Sequence, residues 1–121
     1  MKTITIAIFT CLFFGNAVAA EPIYLECKLS SLTTDLSVTL NESTGKATQT
    51  YKANGSGFTS DAQFNANEII YQKKIANLGQ SERFTINRST LAMDHAISVD
   101  GESIGGGSGT CKVIKATNNK I

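Results

Sequence analysis

The chain has 121 residues, 41% of them hydrophobic, with 11 Lys or Arg against 10 Asp or Glu, one histidine, three cysteines and no tryptophan. A balance so close to neutral, without a basic stripe, leaves no footprint for phosphate backbones and excludes nucleic acid as the expected partner. It argues equally against a polybasic role at a membrane surface.

The first element in chain order reads as a leader. Lys2 precedes an apolar run from Ile4 to Phe14, a polar break comes at Gly15-Asn16, and Ala17-Val18-Ala19 supplies an A-x-A cleavage site. This predicts a signal peptide over residues 1–20, too short to span a bilayer. No second long apolar run occurs, so the mature chain is expected to have no transmembrane segment. Cys11 lies inside the apolar run and not at the cleavage point, which argues against a lipid anchor there. The brief charged region looks bacterial, and the expected location is exported, periplasmic or secreted. Residues 21–121 remain, a length that makes one domain with a modest core.

Loss of Lys2 and Cys11 leaves ten basic against ten acidic residues and two cysteines, Cys27 and Cys111. In an oxidising compartment these two are expected to pair. They stand near opposite ends of the mature chain, and on the chain-entropy model so long a loop contributes about 4.5 kcal/mol. A redox pair would need C-x-x-C spacing, which is absent. The bond therefore reads as construction.

Alternation with period two dominates the mature chain. Leu25, Cys27 and Leu29 face one way in the first segment, and Leu36, Val38 and Leu40 do so in the next. Phe84 and Ile86 alternate with Arg83, Thr85 and Asn87. Leu91 and Met93 continue the pattern, and Cys111 and Val113 flank Lys112. These are half-buried strands. Turn chemistry separates them at residues 41–45, Asn54-Gly55, 77–79 and Asp100-Gly101, with a flexible glycine loop expected at 105–109. Residues 67–79 also read as a helix capped by Asn67 and ended by Gly79. Their apolar stripe is thin and Ile69-Ile70 favour strand, so strand is expected. The fold class is all-β, a small antiparallel β-barrel or sandwich closed by one disulfide between its first and last strands.

Little in the chain points to chemistry. His95 is the one histidine and the cysteines are committed to each other, so no zinc cluster is expected and no cofactor or metal is assigned. Asp100-Gly101-Glu102 lacks the alternating oxygen ligands of a calcium loop. Asp94 and His95 are neighbours whose side chains leave a strand on opposite faces, and no G-x-S-x-G elbow occurs. His95 is expected at the surface or in a loop, and the Lys73-Lys74 pair on a solvated edge or loop. GGGSGTCK lacks the ending of a phosphate loop. Asn41, Asn54 and Asn87 each begin an N-x-S sequon, which has no consequence in a bacterial exported chain.

The Tyr24-Leu-Glu-Cys27 opening, the short strands and the closing Gly109-Thr-Cys111-Lys resemble small exported bacterial β-proteins. The layout is also similar, at its two ends, to the periplasmic inhibitors of C-type lysozyme, whose small barrels begin and end on a cysteine strand. Those inhibitors carry a Ser-Ala-Ser-Gly loop and an aromatic-Lys-Gly motif, and this chain carries neither, so no binding residue is transferred. Together these features lead to the expectation of an exported non-catalytic binding module with a protein partner, an inhibitor of a secreted or envelope enzyme being one form of it. The alternative is a small-ligand carrier with an apolar barrel interior. The 105–109 and 52–60 loops are the expected binding elements.

Overall fold

The computed structural model describes residues 21–114. The expected signal peptide, residues 1–20, lies outside them, as do residues 115–121 at the end of the expected domain. Eight strands succeed one another: β1 (Ile23–Leu29), β2 (Leu36–Asn41), β3 (Lys46–Tyr51), β4 (Gly57–Phe64), β5 (Glu68–Ile75), β6 (Gln80–Asn87), β7 (Ala92–Val99) and β8 (Glu102–Ile114). Each pairs antiparallel with the next and β8 returns to β1, giving a closed up-and-down barrel. No described helix is long and apolar enough to cross a membrane.

The expected alternation becomes the inside and outside of this barrel. Leu25, Cys27 and Leu29 of β1, Leu36, Val38 and Leu40 of β2, Ile69 and Tyr71 of β5, and Phe84 and Ile86 of β6 are buried together with Met93. Burying such side chains, each contributing roughly 1.5–3 kcal/mol, is the main force that closes the sheet. Residues 67–79 are strand followed by a single 3-10 turn, Ala76–Leu78, which Gly79 ends in the left-handed conformation. Ile69 and Tyr71 belong to the core, and a strand puts both on one face. Asp100 and Gly101, with φ of 52° and 84°, make the tight turn between β7 and β8, the geometry that two-residue hairpins prefer.

Cys27 and Cys111 face each other directly across the β1–β8 seam and are disulfide-bonded, with a sequence separation of 84. The Cys111 N–H donates to Leu91 O on the β7 side, so the cysteines occupy a non-hydrogen-bonded pair, where opposed Cα atoms come closest.

Three expectations need correction. The glycine run at 105–109 is not a loop but the middle of β8. Its inward positions lie where chain segments crowd together: a Cβ on Gly109 would meet Lys28 O at 1.7 Å, and one on Gly107 would meet Ser31 Cβ at 2.8 Å. Glycine here permits close approach of backbones. The 52–60 segment is a turn only as far as Ser56, and Gly57–Ser60 open β4. Val113, expected on the buried face, is exposed, although Cys111 on the same face is buried.

Candidate functional site

Two features stand out where the barrel departs from uniform pairing and an apolar interior. The first is a cleft in the wall. The β4–β5 ladder holds only from Phe64–Ile69 to Ala62–Tyr71. Beyond that, Gly57–Asp61 pair with β3 alone and Gln72–Ile75 with β6 alone. The two strands splay and open a cavity of about 660 Å³, within the range of ligand sites.

The cleft reaches through the wall into the interior. Phe58 and Tyr71, ring centroids 6.2 Å apart, form its floor, and behind them Tyr71 stacks on Phe84 at 5.2 Å. Lys73 projects inward on β5, with Nζ 5.1 Å from the centre of the Tyr51 ring and 5.7 Å from that of Phe58. A cation held over aromatic faces is attracted by the ring quadrupoles. Lys74 and Arg83 stand exposed on the outer rim. The ion pairs of the described residues involve none of these three cations. Asp61, the carboxylate in the lining, lies 2.5 Å from Lys46 on β3. That ammonium holds the Asp61 carboxyl below the usual carboxylate range. The cleft therefore carries unspent positive charge.

Sequence reasoning placed Lys73-Lys74 together on a solvated edge or loop. Only Lys74 is there. Lys73 has the parity of Tyr71 and is half-buried, because a strand sends adjacent residues to opposite faces.

The second feature is a buried polar group. His95 was expected at the surface, but it is 3% exposed and faces inward on β7, with the parity of Met93. Its ring stacks on Phe84 with centroids 4.6 Å apart. Nε2 lies 2.9 Å from Glu82 Oε1 and Nδ1 lies 2.8 Å from Ser31 Oγ. An ionised carboxylate only accepts hydrogen bonds, so Nε2–H donates to Glu82, and in the neutral ring Nδ1 then accepts from the Ser31 hydroxyl. Asp94 faces outward and takes no part. A third polar pair lies deeper, where the Tyr71 hydroxyl donates to Oε1 of the fully buried Gln49 at 2.5 Å. Burial pushes the Tyr71 phenol well above its ordinary value.

Ser31, His95 and Glu82 are a hydroxyl, an imidazole and a carboxylate in series, the order found in nucleophilic hydrolases. Ser31 lines neither the β4–β5 cleft nor the small pocket beside Glu26 and Lys112. Here the series ties the β1–β2 turn to the barrel interior. Gly107, opposite His95 on β8, leaves the space in which Ser31 sits. Searched against protein-family models, curated proteins and solved structures, the chain matches none.

Proposed function

We propose that this protein is an exported binding module without a catalytic role, and that it grips a protein partner in the β4–β5 cleft. The carrying observation is the cleft itself, an opening of about 660 Å³ with an aromatic floor and three cations that form no ion pair among the described residues. Tyrosine and arginine are among the residues that dominate binding energies at interfaces, and the cleft offers both. The Cys27–Cys111 bond is compatible with export and gives the cleft a rigid frame. A secreted or envelope enzyme that it inhibits is the partner class to which the resemblance of its two ends points.

The carrier alternative draws less support. Tyr71, Phe84, Leu25, Leu36, Leu40, Ile86 and Met93 are fully buried side chains that occupy the interior themselves.

Affinity capture tests the proposal. Immobilised mature protein is exposed to an envelope extract, and a captured protein is then purified and titrated against wild type and the Lys74→Glu/Arg83→Glu variant. A purified partner that binds wild type at least tenfold more tightly than the variant supports the reading. Equal binding to both, or no partner at all, overturns it.

A further inference from the structure

We infer that the cleft receives an acidic side chain of the partner, whose carboxylate binds the Lys73 ammonium. An apolar neighbour of that side chain rests on the Phe58 and Tyr71 rings. The inference rests on the binding-module reading above and specifies its chemistry.

Lys73 is the lining cation that the fold draws inward and leaves without a counter-ion. It is half-buried, whereas Lys74 and Arg83 are exposed. Glu82 stands opposite Lys73 in the β5–β6 ladder, and both have the parity of inward residues. Its carboxylate is committed elsewhere. Oε1 bonds to His95 Nε2 at 2.9 Å, and Oε2 accepts from Gln80 Nε2 at 3.4 Å. Lys73 forms no ion pair with Glu82 or with any other described residue. The Tyr51 and Phe58 rings attract the ammonium through their quadrupoles but do not accept its N–H bonds as a carboxylate does. A charge partly withdrawn from water attracts an opposite charge more strongly than one in full solvent.

The rest of the lining decides what carries the carboxylate. Phe58 and Tyr71 make the floor, and Lys74 and Arg83 stand on the rim. Asp61, the acid of the lining, is already engaged by Lys46. An inorganic anion would meet the exposed rim cations first and leave the rings bare. A protein side chain brings an apolar stem and apolar neighbours that cover those rings, and further acids beside it meet the rim. A basic segment would meet like charge from all three cations. The opening of about 660 Å³ has room for side chains, and no backbone has to pass between the strands.

The test uses the disulfide-bonded mature protein and the peptide Gly-Glu-Phe-Glu-Gly, blocked by acetyl and amide groups and titrated by amide NMR shifts. Three comparison peptides carry Gln for both Glu, Lys for both Glu, or Gln for both Glu with a free C-terminal carboxylate. The blocked acidic peptide is expected to bind, with shifts at Phe58, Tyr71 and Lys73. The other three are expected to bind at least tenfold more weakly. Lys73→Met keeps a stem over the rings and removes the charge. It is expected to weaken the acidic peptide at least tenfold while the barrel melts close to wild type, and Lys73→Arg is expected to retain most of the binding. Should Lys73→Met fail to fold, Lys73→Gln takes its place. Glu82→Gln keeps an acceptor for His95 and removes the charge opposite Lys73, so it is expected to tighten binding.

Equal binding of the blocked Gln or Lys peptide would overturn the acidic requirement. Equal binding of the free-terminus form would overturn the assignment to a side chain. Unchanged affinity in the uncharged Lys73 variant, or unchanged or weaker binding to Glu82→Gln, would place the carboxylate away from Lys73 and overturn the anchor. Absence of peptide binding, or sedimentation showing a second copy of the chain in the cleft, would overturn the inference as well. In each of these cases the binding-module reading survives where a purified partner still distinguishes Lys74→Glu/Arg83→Glu from wild type, and falls where none does.

Discussion

Ser31 Oγ and His95 Nδ1 lie 2.8 Å apart although 64 positions separate them in the chain. Their contact fastens the β1–β2 turn to the inside of β7, and the Glu82 carboxylate holds the far side of the same ring. Ser31→Ala removes one hydroxyl from the arrangement and is expected to lower stability by about 1 kcal/mol. His95→Ala is expected to cost more, because it leaves Glu82 nearly buried without its partner and strips a stacked ring from Phe84. Urea melts measure both. If the group serves only to fasten the turn, a fluorophosphonate reagent leaves Ser31 unlabelled; labelling abolished by His95→Ala would instead reveal a nucleophile.

Gly107→Ala reaches the same contact from the opposite strand. The new methyl group would fall 2.7 Å from Ser30 Oγ and 2.8 Å from Ser31 Cβ. The turn must shift to admit it. Amide exchange at residues 30–35 is expected to accelerate while the rest of the barrel stays protected, and uniform protection would show that the turn is not held in this way.

The Tyr71–Gln49 bond predicts an asymmetry between single and double substitutions. Tyr71→Phe leaves a buried amide oxygen without its donor and is expected to cost about 1–3 kcal/mol. The Tyr71→Phe/Gln49→Leu double variant leaves neither group and is expected to recover part of that loss. A thermodynamic cycle built from denaturant midpoints reads the coupling.

Stability is expected to fall at both ends of the pH range, for opposite reasons. Tyr71's phenol is raised by burial, so the folded state keeps its proton after the unfolded chain begins to release one near pH 10. The contribution is whole below that pH and is lost as pH rises toward the folded value. Absorbance at 295 nm should show Tyr71 ionising only as the barrel unfolds. The carboxyls of Glu26 and Asp61 are lowered, Glu26 first by its hydrogen bond to Lys52 and Asp61 by its bond to Lys46. Their contribution is present above the unfolded carboxylate range and is lost as pH falls through the folded values. Both pairs are exposed, so the acid effect is expected to shrink in high salt.

Removing the seam tests the largest single constraint. A Cys27→Ala/Cys111→Ala variant opens a loop of 84 positions. It is expected to lose roughly 2–5 kcal/mol, as native disulfides of small exported domains do. Chemical denaturation of both proteins measures the difference. A smaller loss would place closure in the β1–β8 hydrogen bonds and the core.

Alternation in the sequence was enough to place β1, β2 and β6, the start of β7 and the end of β8, because aliphatic and aromatic residues mark their inward faces. The two cysteines on inward positions of the first and last strands made the staple legible as well. β3 and β4 escaped because their inward residues are Ala47, Gln49 and Tyr51, then Phe58, Ser60, Ala62 and Phe64. That mixture carries a weak hydropathy signal. The glycines of β8 read as a loop because glycine punctuates local structure, while their use here is steric and depends on which segment crosses them. His95 and Lys73 could be assigned a face only after their strands had been aligned, since one position of register reverses every side chain. The cleft left no local trace, because it is a failure of two strands to pair along their whole length. Local patterning determined the strands whose inward faces are aliphatic or aromatic, and the covalent link. The closure of the sheet decided which polar groups meet inside it and where its wall stands open, because those relations join residues that share no stretch of chain.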